Sequence, residues 1–192
     1  MADAINVLYQ PFPTSVTVNN QIYPVKTDYR DWLNFFDRLQ EEAAAPVELI
    51  QGALLLYAQN IPDDIVAAYY ALLDFASLSC VPQAGTPAKK SNGVARQTIS
   101  YRYDAGCIIA DFIRFYRIDL TKAEGLHWYK FRILLENLPD ESETKQRAGY
   151  RAINLAEIKD KKTRERVRKI QNAIRIPQKH KMTAGQVGAV FG

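Results

Sequence analysis

The side chains able to do chemistry are few and scattered. His127 and His180, with Cys80 and Cys107, are the whole stock of imidazole and thiol ligands. No CxxC pair and no Cys/His spacing joins them, so two reduced thiols and no metal site are expected. His127 sits between Leu126 and Trp128 with no acid or nucleophile at a recurring catalytic spacing. General acid–base work needs a positioned partner, so this histidine reads as a packed or partly exposed one. Asp63-Asp64 follows Pro62 and precedes an apolar run; acids there face the positive end of a helix dipole and read as a helix start, not a carboxylate dyad. GxSxG, HExxH and GxGxxG are missing, and the Gly and Lys residues between Ser79 and Gln97 lack the order of a phosphate loop. The expectation is a non-enzyme with no catalytic, cofactor or metal residues.

The uneven feature is charge. The formal net charge is +4, yet Glu157 to Lys181 holds ten Lys or Arg against three Asp or Glu, a balance of +7 that leaves −3 for the remainder. Lys159, Lys161, Lys162, Arg164, Arg166, Arg168 and Lys169 could contact phosphates. Asp160 and Glu165 interrupt them and no stacking aromatics accompany them. Three readings stand for this segment: a solvated face, a contact for an acidic protein, and a nucleic-acid contact.

These residues must be positioned by a scaffold that reads as mainly α. The 192 residues suffice for one domain with a real core. No apolar run approaches the roughly 20 residues of a membrane span. An acidic Asp3 near the start argues against a signal peptide, so the cytoplasm of whatever cell makes the chain is the expected compartment. Residues 15–25 alternate around Asn19-Asn20 and predict a β-hairpin with Pro24 at an edge. Helices are predicted after Asp28 (Trp32, Leu33, Phe36, Leu39), from Pro46 (Val47, Ile50, Leu54, Tyr57) and from Ile65 (Tyr69, Leu72, Leu73, Ala76). Pro, Gly and Lys mark 79–97 as a mobile loop. A fourth helix opens at Asp104, with Tyr103, Ile108, Ile109, Phe112, Ile113 and Tyr116 on its buried side. The stretch 118–139 reads as the central helix, with Asp119 and Thr121 as N-cap types and Pro139 as its stop. A shorter helix capped by Asp140 or Ser142 follows, then a basic helix over about 156–176. The expected division is a helical core over 1–155, a basic helical extension over 156–176 and a disordered tail over 177–192.

The ensemble is more specific than its parts. Three stretches, NVLYQPFPTSVTVNNQIYPVKTDYRDWLNF, YDAGCIIADFIRFYRIDLTKAEGLHWYKFRILLENLPD and GYRAINLAEIKDKKTRERVRKIQ, together resemble the gene-product-fifteen family of tailed bacteriophages of Gram-positive hosts. The resemblance spans nearly the whole chain apart from the 79–97 loop and the tail. None of the three stretches is a catalytic motif. Tyr129 stands where a second Trp is common in that family, a conservative departure.

What the resemblance implies comes from gene position, between the major tail protein and the tape measure protein. That position implies a tail assembly chaperone, which masks the long amphipathic tape measure helix until tail tube subunits replace it and is absent from the finished virion. The implied partners are the tape measure protein, possible tail tube subunits and further copies of this chain, with no membrane. The expected partner surface is Trp32, Phe36, Lys161, Lys162, Arg164 and Arg168. The alternatives are a structural morphogenesis protein retained in the virion, such as a head–tail connector or minor tail protein, and a nucleic-acid-binding accessory protein.

Overall fold

The computed structural model describes residues 5–39, 46–81 and 97–177. Two strands open it, β1 (Ser15–Val18) and β2 (Gln21–Pro24), antiparallel with Val16 opposite Tyr23 and Val18 opposite Gln21. Asn19 and Asn20 take φ of 48° and 63°, the double left-handed geometry that lets a two-residue turn follow the strand twist. Val16 and Val18 face the core, while Ile22 points to solvent. A lone ribbon is marginal in water. Here β1 packs on a helix, and the chain beyond β2 is extended by the Val25–Tyr57 bridge and by Ala58 N–H donating to Pro24 O at 3.0 Å.

Among the described residues seven α-helices follow: α1 (Tyr29–Leu39), α2 (Pro46–Leu54), α3 (Ile65–Ala76), α4 (Ala105–Asp111), α5 (Trp128–Glu136), α6 (Glu143–Ala152) and α7 (Lys161–Ala173). The fold is mainly α with an N-terminal hairpin, as expected. Their starts are chemically marked. Asp28 accepts from Arg30 N–H at 2.9 Å before α1, Asp64 from Ala67 N–H at 3.0 Å in α3, and Ser142 from Lys145 N–H at 3.3 Å in α6. Each satisfies a backbone donor that the first helical turn leaves unpaired.

Three expectations are corrected. The central helix starts at Trp128, not near Asp119. Asp119 spends its carboxylate locally, accepting from Thr121 N–H at 3.0 Å and Thr121 Oγ1 at 2.6 Å, a side-chain turn that competes with helix. Gly125 then takes a left-handed φ of 65°, and His127 becomes the N-cap. The fourth helix changes register: after Asp111 it widens into a π-helical turn, Phe112–Tyr116, which ends at Arg117 in the left-handed region (φ 59°). That turn holds Phe112 fully buried and leaves Ile113 exposed; Tyr103, also expected inside, is exposed as well. The basic helix starts at Lys161, where Asp160 accepts from Thr163 N–H at 2.6 Å. Residues 155–157, which the sequence suggests lead into that helix, form a 3-10 turn.

The core is a nearly continuous run of rings. Trp32 stacks on Phe75 at 5.0 Å and on Trp128 at 5.9 Å, and Trp128 continues to Phe131 at 5.9 Å. Phe131 in turn stacks on Tyr29 at 4.9 Å and Phe112 at 5.4 Å. Both indole N–H groups are paired, Trp32 to Lys26 O at 2.9 Å and Trp128 to Ala76 O at 3.1 Å. Buried tryptophans thus bring large apolar area without a stranded donor. The expected loop over 79–97 lies outside the described residues except for 79–81 and 97, and the expected tail lies outside them beyond Pro177.

Candidate partner-binding surfaces

The surfaces rest on a buried ionic lock. Asp104 occupies the N-cap position of α4 without capping it. Its carboxylate instead accepts from Ser100 N–H at 2.9 Å and from both terminal nitrogens of Arg151, at 2.6 and 2.8 Å. Arg151 also donates to Thr98 O and Ile174 O, each at 2.8 Å. Burial pushes the Asp104 carboxyl up, but the Arg151 hydrogen bonds, the Ser100 N–H and the nearby guanidinium charges outweigh it and hold the group below the usual carboxylate range. Two turns on, the buried Asp111 accepts from Glu143 N–H at 3.3 Å and Thr144 N–H at 2.8 Å, placing a carboxyl group at the start of α6. Gln171 of α7 donates to Tyr150 O at 2.7 Å and Ile153 O at 2.8 Å. The helix within 156–176 is therefore tied to α6 and α4 by polar bonds.

A second pinned point is the start of α5. His127 Nδ1 accepts from Tyr129 N–H at 3.0 Å, so Nε2 carries the proton and donates to Pro13 O at 3.0 Å. Phe12 stacks on the imidazole at 5.0 Å. Burial lowers the His127 pKa and the bond to Pro13 raises it in part, with the lowering larger. The ring is a structural cap that anchors the N-terminal arm. Both ring nitrogens are engaged in this arrangement.

On this frame lies an open apolar cleft of about 150 Å³, lined by Tyr29, Leu33, Tyr101, Ala105, Ile109 and Phe131 among others. Every lining residue is uncharged. A backbone acceptor of the lining, Leu120 O, is taken by Tyr29 Oη at 2.7 Å and Arg30 Nη2 at 3.1 Å. Desolvation keeps the Tyr101 phenol protonated by raising its pKa. The volume suits one large apolar side chain, and the lining offers burial and little hydrogen bonding.

The expected partner residues divide. Trp32 is fully buried in the aromatic run, so it lies in the core and not on the described surface. Phe36 is half-buried, stacked on Trp128 at 5.5 Å and tilted on the cleft residue Tyr101 at 6.1 Å, one helical turn from the cleft residue Leu33. Lys161, Lys162 and Arg168 are exposed on α7. Arg164 is half-buried and turned back on its own chain, donating to Ile158 O at 3.1 Å and Lys159 O at 3.3 Å. Val167 and Gln171 form the inward seam, so the exposed cations, with Arg166 and Lys169, share the outer side.

A third surface was not anticipated. α3 exposes Val66 (63%) and Tyr70 (62%), four residues apart and so on one face. Residues 46–81 contain Glu48, Asp63, Asp64 and Asp74 and no Lys or Arg, a signal that was readable in the sequence. Asp64 is held below its ordinary pKa by the Ala67 N–H and then by Asn19, so it is charged.

Among the described residues no group of three or more His, Cys, Asp or Glu is placed to hold a metal, and no helix is long and apolar enough to cross a membrane. Cys80 is buried with Sγ 3.3 Å from Tyr129 Oη, and neither it nor Cys107 is in a disulfide. The class that emerges is a mainly helical bacteriophage structural or morphogenesis protein. The chain belongs to the Bacteriophage Gp15 protein family, whose model matches residues 8–176. No curated protein and no solved structure matches it.

Proposed function

We propose that this chain is a non-catalytic tail assembly chaperone that binds the phage tape measure protein in the host cytoplasm, keeps it soluble and is displaced before the virion is complete. The observation that carries the reading is the open, uncharged cleft beside Phe36. A helix-in-groove contact needs an apolar slot for anchor side chains, and the 150 Å³ cleft has that size and chemistry. The exposed cations of α7 add attraction for acidic segments of the partner. Membership of a phage morphogenesis family supports the setting.

The test is co-expression with the tape measure protein encoded by the same phage, followed by affinity capture and sizing. The wild-type chain should bring the tape measure protein into solution as a complex of many copies. Ala105→Trp, which fills the cleft from its rim, should abolish capture while its circular-dichroism melt stays near wild type. Capture unaffected by Ala105→Trp or by Ile109→Lys, or stoichiometric amounts of this chain in purified virions, would overturn the proposal.

A further inference from the structure

Opposite charges sit on separate elements of this fold. On α3 the exposed Val66, Tyr70 and Asp74 follow at four-residue spacing on one face, and the exposed Asp63 lies just before the N-cap Asp64, so a carboxylate stands near each end of the apolar pair. Leu55 and Ile61 of the same Lys- and Arg-free segment are exposed too. α7 presents Lys161, Lys162, Arg166, Arg168 and Lys169 outward. α3 packs against α2 and β1, whereas α7 packs against α6 and the 3-10 turn, so each leaves its outer side open.

We infer that a second copy of this chain docks its α7 on the α3 row of the first, head to tail. Long Lys and Arg stems cover Val66 and Tyr70 while their charged ends reach Asp63 and Asp74, and a guanidinium suits the face of the Tyr70 ring. Because the two faces differ, the contact is heterologous and each added copy leaves one face of each kind unused. The product is a ring or an open string. The inference deepens the chaperone reading and rests on it for its purpose: copies linked in a string bind a long helix with far higher effective concentration than separate ones.

The test uses this chain alone, nuclease-treated, in sedimentation velocity over a range of protein and salt concentrations. Wild type should form species larger than a monomer at low salt and dissociate as salt rises, since such contacts are screened. Asp63→Lys/Asp74→Lys and Arg166→Glu/Arg168→Glu should each weaken association at least tenfold with unchanged helical content, since all four side chains are exposed. Mixing the two variants should restore assembly, because one contact is then native and the other charge-reversed. A wild type that stays monomeric at every concentration, swapped variants that assemble like wild type, large species that vanish on nuclease treatment, or a mixture that stays monomeric would each overturn it. A wild-type chain that stays monomeric yet captures the tape measure protein would remove this inference alone, and one that self-associates without capturing it would remove the chaperone reading alone.

Discussion

Replacing Arg151 with methionine keeps most of the side-chain volume and removes the guanidinium that closes the α4–α6–α7 junction. The Asp104 carboxylate, 1% exposed, would keep the Ser100 N–H, with Arg147 at 3.8 Å as a distant substitute. Stranding one partner of a buried pair costs about 3–5 kcal/mol. Losing the bonds to Thr98 O and Ile174 O adds about 0.5–1.5 kcal/mol each, partly offset by water entering near the exposed end. Against a total stability of about 5–15 kcal/mol, this is a large fraction. In urea unfolding followed by circular dichroism, the midpoint should fall by about 2–4 M at a slope near 2 kcal/mol/M. Trypsin should also cut within α7 sooner, since Ile174 O loses its anchor. The Asp104→Asn/Arg151→Met double variant should be more stable than Arg151→Met, because the stranded charge is gone. The wild-type pH profile carries the same signature. With the folded pKa of Asp104 lowered, the pair's contribution is fully present above the ordinary value of 3.8 and is lost as pH falls through the lowered one. A cost below about 1 kcal/mol, or strictly additive single and double effects, would refute the lock.

Three further outcomes are expected. His127 has a folded pKa below 6.5, so its capping contribution is complete above pH 6.5 and is lost as pH falls through the lower folded value; the melting temperature should drop between pH 7.5 and 5, and His127→Asn, still a cap, should flatten that slope at a cost within about 1 kcal/mol. Trp128→Ala should cost about 3–5 kcal/mol in chemical denaturation, removing a fully buried ring and leaving Ala76 O without its indole donor. Arg117 holds φ 59°, so Arg117→Val should destabilise by about 1–2 kcal/mol while Arg117→Gly stays near neutral in the same assay.

What the sequence made legible was whatever acts locally. The hairpin followed from two adjacent asparagines that tolerate positive φ, and α1, α3 and α6 from Asp28, Asp64 and Ser142 at their caps. The central helix was overextended because Asp119 and Thr121 carry cap chemistry that serves a turn of their own, and because histidine is an unusual cap. The π turn at Phe112–Tyr116, which buries Phe112, has no local signature in the sequence. Arg151 carries no signal of its own in the sequence. Its partner lies 47 residues away, and only the fold brings the two together. For the surfaces, α7 was visible as a run of charge, whereas Trp32 was placed outside because helical spacing shows a face and not what covers it. The acidic, lysine-free stretch holding α3 was there to be counted.

The chain has two tryptophans, and they are stacked on each other at 5.9 Å with an interplanar angle of 22°, both shielded from solvent. All of its indole emission therefore comes from one spot, the junction of α1 and α5, and that emission should be blue-shifted and insensitive to surface quenchers. Rings held this close also couple their excited states, giving a near-ultraviolet dichroism band that exists only while the two helices stay in register. The protein thus carries its own optical reporter of core integrity, one that partner binding at α7 should leave silent and that any rearrangement of α1 against α5 should register at once.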